Sequence, residues 1–346
     1  MSVYRIGLMP GDGIGPDVVA EAVRVLQALE ATSDLLFDFT GFSVGAGEYL
    51  RGGDPLPEAT FEAAGSCHAI LLGAMGLPDV RLATGVEIAP QLDLRERWEL
   101  YAGLRPLRLY HEAHTPLKGY GTGGIDILLV RENTEGLFWS RKGSVAPGAE
   151  AAEDILHISR KGAERVCRAA FEQARRRRRK VTLVDKANVL PSMAFFRAIF
   201  FEIAPAYPDV ETEAVYVDAM ALYLVRNPER FDVVVTENMF GDILSDLGAA
   251  LIGGMGMAPS GDVGETHAVF QPSHGSAPDI AGKGIANPVA TILSAAMMLD
   301  WLGAPEARRI HDAVERVLAD PANRTPDLGG TLSTEEMGER IAAALS

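Results

Sequence analysis

Cysteine is almost absent from this chain: its 346 residues hold only Cys67 and Cys167. The two lie far apart in apolar surroundings. They read as buried thiols in a reducing compartment, which excludes a disulfide framework or a cysteine metal site and points to the cytoplasm. No apolar run reaches the ~18 residues of a membrane span. The opening "MSVYRIGLMPGDGIGP" has no charged region followed by a long apolar stretch, so no signal peptide is expected. Positive charge is in deficit, with 32 Lys and Arg against 47 Asp and Glu and a net charge of −15. That argues against nucleic acid as a partner, while leaving room for a local cationic pocket around a small anion. Repeats and low-complexity segments are missing too. What remains is 47% hydrophobic and 23% charged, the composition of a folded soluble protein. The length exceeds one compact core, so two domains or one large α/β unit are expected.

Strand and helix patterns alternate along the chain, which places it in the α/β class. "YRIGLMP" reads as a first strand and "DVVAEAVRVLQAL" as an amphipathic helix. Further strands are predicted at "LLFDFTGFS", "HAILLGAM", "LRPLRLY", "GIDILLVREN" and "KVTLVD". "QLDLRERWELYAG" reads as helical, as does Ser159 to Arg176, and "VETEAVYVDAMALYLV" passes from strand into helix. The stretch "LIGGMGMAPSGDVG" is glycine-rich and reads as irregular. Three helices are expected near residues 288–302, 304–319 and 334–345. The run "ARRRRRK" at 174–180 reads as a solvated cationic helix end.

Charged residues concentrate at the ends of predicted strands. "VVVTENMFGDILSDLG", residues 233–248, runs a β-branched strand into a helix carrying Asp242 and Asp246. Four residues apart on a helix, they share one side, and a divalent cation would turn their repulsion into coordination. Arg131 follows "IDILLV", where open α/β sheets bind ligands. Arg95 and Arg105 also sit beside element ends, and guanidinium suits carboxylate. Lys186 ends another strand and is a candidate base, and Asp218 stands where a strand passes into a helix. Spacing alone therefore points to a metal and a small anion.

Two segments are rich in glycine. "PGDGIGP" spaces Gly11, Gly13 and Gly15 as G-x-G-x-G, which is not the dinucleotide fingerprint. It reads as a tight strand-to-helix turn whose amides could approach a ligand. "HGSAPDIAGKGIANP", residues 274–288, combines glycines with His274, Ser276, Asp279 and Asn287, as a nucleotide loop would.

Taken together, "PGDGIGP", "LRP", "VDKANV", "YVDAMA", "FGDILSD" and "HGSAPDIAGKGIANP" resemble the metal-dependent β-decarboxylating dehydrogenases of isocitrate, isopropylmalate, homoisocitrate and tartrate or D-malate. The resemblance covers nearly the whole chain, in order. It implies an isopropylmalate dehydrogenase-like two-domain sandwich, not a Rossmann fold. Residues 1–100 and 253–346 would form the large NAD-binding domain. Residues 101–252 would form a small domain that makes a homodimer with shared active sites. Asp242 and Asp246 match metal ligands for Mg²⁺ or Mn²⁺, with Asp218 and the base Lys186 reaching in from the partner. Arg95, Arg105 and Arg131 match the carboxylate clamp, and Asn188 a substrate contact. His274, Gly275, Ser276, Ala277, Asp279, Ala286 and Asn287 match the cofactor loop. Asp279 would repel a 2′-phosphate, so NAD is favoured over NADP; the alternative role for it is a helix N-cap.

One position departs from the family pattern. Its reprotonating tyrosine corresponds here to Phe138, which has no proton to give. Water or a neighbour such as Ser140 would then protonate the enol, or that step would be slow or substrate-shifted, or the chain would be a non-catalytic regulatory subunit. Substrate choice should lie in "EIAPQLDLR", where Gln91 and Leu92 occupy the variable positions. This stretch fits no branch cleanly. The balance favours 3-isopropylmalate, with D-malate or tartrate next and isocitrate or homoisocitrate after them.

Overall fold

The computed structural model describes residues 2–82, 84–146 and 148–345. Its strands are β1 (Ser2–Gly11), β2 (Leu35–Gly41), β3 (Ala69–Ala74), β4 (Ala102–Arg108), β5 (Asp126–Glu132), β6 (Lys180–Asp185), β7 (Glu211–Tyr216), β8 (Val233–Thr236), β9 (Pro259–Val263) and β10 (Ala268–Pro272). Its helices are α1 (Gly15–Glu30), α2 (Ala46–Gly52), α3 (Glu58–Ala64), α4 (Pro90–Arg97), α5 (Arg160–Arg175), α6 (Pro191–Ile203), α7 (Val217–Arg226), α8 (Asn238–Leu251), α9 (Val289–Trp301), α10 (Ala307–Leu318) and α11 (Thr334–Ala343).

All ten strands join one sheet in the order β2-β1-β3-β10-β9-β4-β5-β8-β6-β7. The flanks are parallel, with β1 between β2 and β3, and β8 between β5 and β6. The centre is antiparallel, through β10–β9, β9–β4 and β4–β5. The class is α/β, as the alternation of patterns implies, and the strand order is not that of a Rossmann fold.

Helices cover both faces, so the strands are apolar on both sides. Along β5, Ile127 and Leu129 join the large core that includes α1 and α9, while Leu128 and Val130 face the cluster of Phe171, Phe196 and Phe200 on α5 and α6. This two-residue alternation is how one strand serves two cores. Cys167 is buried as expected, whereas Cys67 is only half-buried, and both are free thiols. Among the described residues no helix is long and apolar enough to cross a membrane.

Three expectations change. The stretch read as irregular contains β9 at the centre of the sheet. Gly261 is there because a Cβ would stand 2.7 Å from the Phe270 ring on the neighbouring β10. The helix read over "QLDLRERWELYAG" stops at Arg97, since Ala102 and Gly103 already pair with β5 and β9. The arginine run is ion-paired rather than simply solvated: Arg175 meets Asp209 at 2.9 Å, and Arg177 meets Asp126 and Asp232 at 2.8 Å each.

Candidate active site

Arg95, Arg105 and Arg131 line one cleft of about 450 Å³ together with Gln91, Leu92, Phe138, Asp242, Asp246 and His274. Each guanidinium arrives from a different element and is anchored. Arg131, near the end of β5, is 1% exposed. Its Nε and Nη2 donate to Asn238 Oδ1 at 3.0 and 2.7 Å, and its Nη1 pairs with Asp242. Arg105 on β4 donates from Nη1 to Ser273 Oγ at 2.9 Å, while its buried Nε has no partner. Arg95 on α4 donates from Nε to Asp262 Oδ2 at 2.8 Å.

Three buried cations this close strain one another's charge. Burial, then Arg95, push Arg131 down to about 9, with Asp242 opposing. Such a cluster calls for anions, and forked guanidinium donors fit carboxylates.

The acidic pair lies where the helical spacing placed it. Glu237 opens α8 by accepting from the Phe240 amide at 2.6 Å, and its helix brings Asp242 and Asp246 to the cleft one turn apart. Burial and repulsion from Asp242 raise the Asp246 carboxyl. Two crowded carboxylates of this kind fit a hard divalent cation. Among the described residues the single chain assembles no group of three acidic, His or Cys ligands. Asp218 stands elsewhere, in the first turn of α7, bonded to Lys186 Nζ at 2.7 Å. Asn188 is exposed beyond β6. None of these three lines the cleft within one chain.

The glycine loop after β10 divides in two. His274 and Gly275 line the cleft. Burial lowers the His274 imidazole, whose Nε2 is buried without a partner. Gly275 has open space on the side where a side chain would project. Both features suit a ligand lying along this loop. The rest packs inward. Ser276 is buried and its carbonyl accepts from the Ile14 amide at 2.8 Å, Ala277 takes a left-handed φ of 38°, and Ala286 packs with Ile14 and Val18. Asn287 is buried, accepting from the Val289 amide and donating to Asp327 at 3.1 Å each. Asp279 is exposed and caps no helix, because the next one begins at Val289.

The turn in "PGDGIGP" also serves the fold. The amides of Asp12, Ile14 and Gly15 donate to the carbonyls of Ala74, Ser276 and Asp12, so these three are not open to a ligand. Phe138 is half-buried at the cleft wall, and among its described lining residues there is no tyrosine. Ser140, the neighbour expected as an alternative acid, stands apart from the cleft. Its hydroxyl accepts from the Ile155 amide at 2.8 Å.

Sequence reasoning missed the groups that hold the clamp: Asp262, Asn238, Ser273, Asn133 and Gln271. The one available signal was an acid in "PSGDVG" between apolar stretches.

Comparison with known proteins agrees along the whole chain. A family profile described as isocitrate/isopropylmalate dehydrogenase matches residues 5–341. The 3-isopropylmalate dehydrogenase of Carboxydothermus hydrogenoformans is 45% identical over 98% of this chain and 94% of its own. The isocitrate/homoisocitrate dehydrogenase of Thermus thermophilus is 47% identical over 99% of this chain and 98% of its own. In three dimensions, the isocitrate dehydrogenase of Methylococcus capsulatus superposes with a TM-score of 0.90 at 41% identity, covering 99% of both chains.

Proposed function

Because the chain belongs to the isocitrate/isopropylmalate dehydrogenase family, and so is an oxidoreductase, we propose that it oxidises and decarboxylates a 3-substituted malate, with 3-isopropylmalate favoured. NAD and Mg²⁺ or Mn²⁺ would be its cofactors. The observation that carries this reading is the convergence of three buried guanidiniums and the Asp242–Asp246 pair in one cleft beside His274.

In this reading, Arg95, Arg105 and Arg131 hold the substrate's carboxylates and fix its orientation. Asp242 and Asp246 would hold the cation, with the partner subunit's Asp218 as a third ligand. Bound there, the cation supplies Lewis-acid polarisation of the α-oxygen, and the nicotinamide supplies a hydride acceptor. The partner's Lys186 accepts the hydroxyl proton. With Phe138 at the wall, water gives the proton that the enol takes up. Asp279, exposed beside the loop, favours NAD over NADP by charge.

The homodimer is supported by what surrounds Lys186 and Asp218. Val189 follows Lys186 in the chain, Leu222 and Val225 lie on α7 with Asp218, and Ile243 lies on α8, which packs against α7; these apolar residues are 64%, 54%, 43% and 58% accessible. Residues 1–100 with 253–346, and 101–252, would be the two domains that close on the cleft.

A second reading, isocitrate or homoisocitrate as substrate, draws on the name of the Thermus relative. NADH formation measured with isopropylmalate, isocitrate, D-malate and tartrate, with and without Mn²⁺, separates them. Turnover of none, with metal-dependent ligand binding retained, would overturn the enzyme reading in favour of a regulatory subunit.

A further inference from the structure

Arg131 reaches the cleft over a seat built by helix α8. Its stem crosses the helix at Gly241, where a Cβ would stand 2.7 Å from its Cγ and 2.8 Å from its Cβ. Asn238 and Asp242, one helical turn apart on α8, take hold of the guanidinium. Asn238 does so with a single oxygen: Oδ1 accepts from Nε at 3.0 Å and from Nη2 at 2.7 Å, while Asp242 pairs with Nη1.

The Asn238 amide has one workable orientation. A guanidinium only donates, so the oxygen must face it. On the other side Nδ2 donates to the Glu135 carbonyl at 3.0 Å. The side chain is 2% exposed, and a Cβ on Gly136 would stand 2.8 Å from its own Cβ, so close packing holds it in place. Asn238 itself is absent from the described lining of the cleft, whereas Arg131 is part of it.

A guanidinium has five N–H groups. Asn238 takes two and Asp242 one, which leaves one on each terminal nitrogen, the number a carboxylate can take from a fork. The Asn238 contact is also neutral. A carboxylate in its place would pair with Nε and Nη2 and offset the charge that a bound acid needs, whereas an amide orients the fork and leaves that charge alone.

We propose that Asn238 is a positioning residue for the acid: it turns the Arg131 fork toward the cleft through a neutral oxygen, without touching the ligand. The inference rests on the reading of the cleft as the seat of a hydroxydicarboxylic acid.

The test is a double-mutant cycle read by calorimetry, with the full chain in saturating Mn²⁺. The probe is whichever of isopropylmalate, isocitrate, D-malate and tartrate binds the wild type most tightly, and NAD is titrated separately. Asn238→Ala should weaken the acid about tenfold or more, the scale of losing a bond to a charged group and its orientation. NAD affinity should stay as it is. Arg131→Met should also weaken the acid, and adding Asn238→Ala to it should weaken the acid no further, because nothing is left to position. A merely structural role would move both ligands alike and would add in the double variant. Asn238→Asp keeps the shape and an acceptor but pairs with the arginine, so it too should weaken the acid; it decides the matter if the alanine variant does not fold. Wild-type acid binding in either single variant at 238, an equal loss of NAD affinity, or additive effects in the cycle would overturn the proposal and leave the reading of the cleft standing. A wild type that binds none of the four acids would overturn that reading, and the proposal with it.

Discussion

The Arg131 guanidinium carbon lies 5.2 Å from the centroid of the Phe138 ring. A cation that close to a ring face is attracted by its quadrupole, so the phenyl group is oriented at the cleft wall. Substituting Phe138→Tyr adds a hydroxyl to a ring already held there. Where enol protonation limits turnover, the steady-state rate should rise, within the ~10²–10⁴-fold that a general acid contributes. Unchanged rates of NADH formation and of ketone release would show that protonation is not limiting.

Asp12 carries three backbone amides, those of Ala46, Gly47 and Gly76, at 2.7, 2.9 and 2.8 Å. It thereby ties the end of β1 to the start of α2 and to the segment after β3. Asp12→Ala leaves these donors without an acceptor, and an unmet buried donor costs ~1–3 kcal/mol. A marked drop in the thermal midpoint is expected, with Asp12→Asn intermediate. An alanine variant that melts like the wild type would count against this role.

Asp246 resists its own charge, because burial and Asp242 raise its carboxyl. A raised carboxylate favours folding at low pH and loses that contribution as pH rises through the folded value. Asp246→Asn should therefore melt at a higher temperature than wild type at neutral pH in chelator. Added Mn²⁺ should stabilise the wild type strongly and the variant little, because a ligand bound only to the folded state raises its stability. Equal Mn²⁺ shifts in both proteins would exclude Asp246 as a ligand.

His114 is buried, neither of its ring nitrogens has a partner, and desolvation followed by Arg324 pushes it down to about 4. The unfolded chain takes up this proton near pH 6.5, whereas the folded chain refuses it until about pH 4. The histidine thus lowers stability progressively as pH falls through that window, by up to ~3 kcal/mol. Denaturant titrations at pH 7 and pH 5 should show a smaller loss for His114→Leu than for wild type. Parallel losses would mean that His114 is protonated without difficulty in the native state.

Much of the site could be read from residues because its chemistry sits at strand ends. Arg131 after an apolar run, and two aspartates one helical turn apart, are local patterns that survive folding unchanged. Asp262 was hidden because β9 is five residues long, contains Pro259 and Gly261, and is buried on both faces, so it shows no alternation. Its place beside Arg95 comes from pairing with β4 and β10, a tertiary fact with no local trace. Asp12 escaped for the same reason, since its amide partners lie 34, 35 and 64 residues away. Lys186 and Asp218 were each legible at a strand end, but that they bond to each other and stand outside the cleft of a single chain is likewise a tertiary fact with no local trace.

The antiparallel seam also sets an order of events during synthesis. β3 pairs with β10 and β4 with β9, so strands from the first third of the chain wait for partners from its last third. A ribosome that has emitted everything up to α8 holds β1–β3 as a short parallel sheet with one unfilled edge. Such edges invite wrong pairing. Completion of the sheet is thus tied to the late arrival of two short strands, of which the first, β9, brings the acid that tempers the arginines and the second, β10, closes against β3.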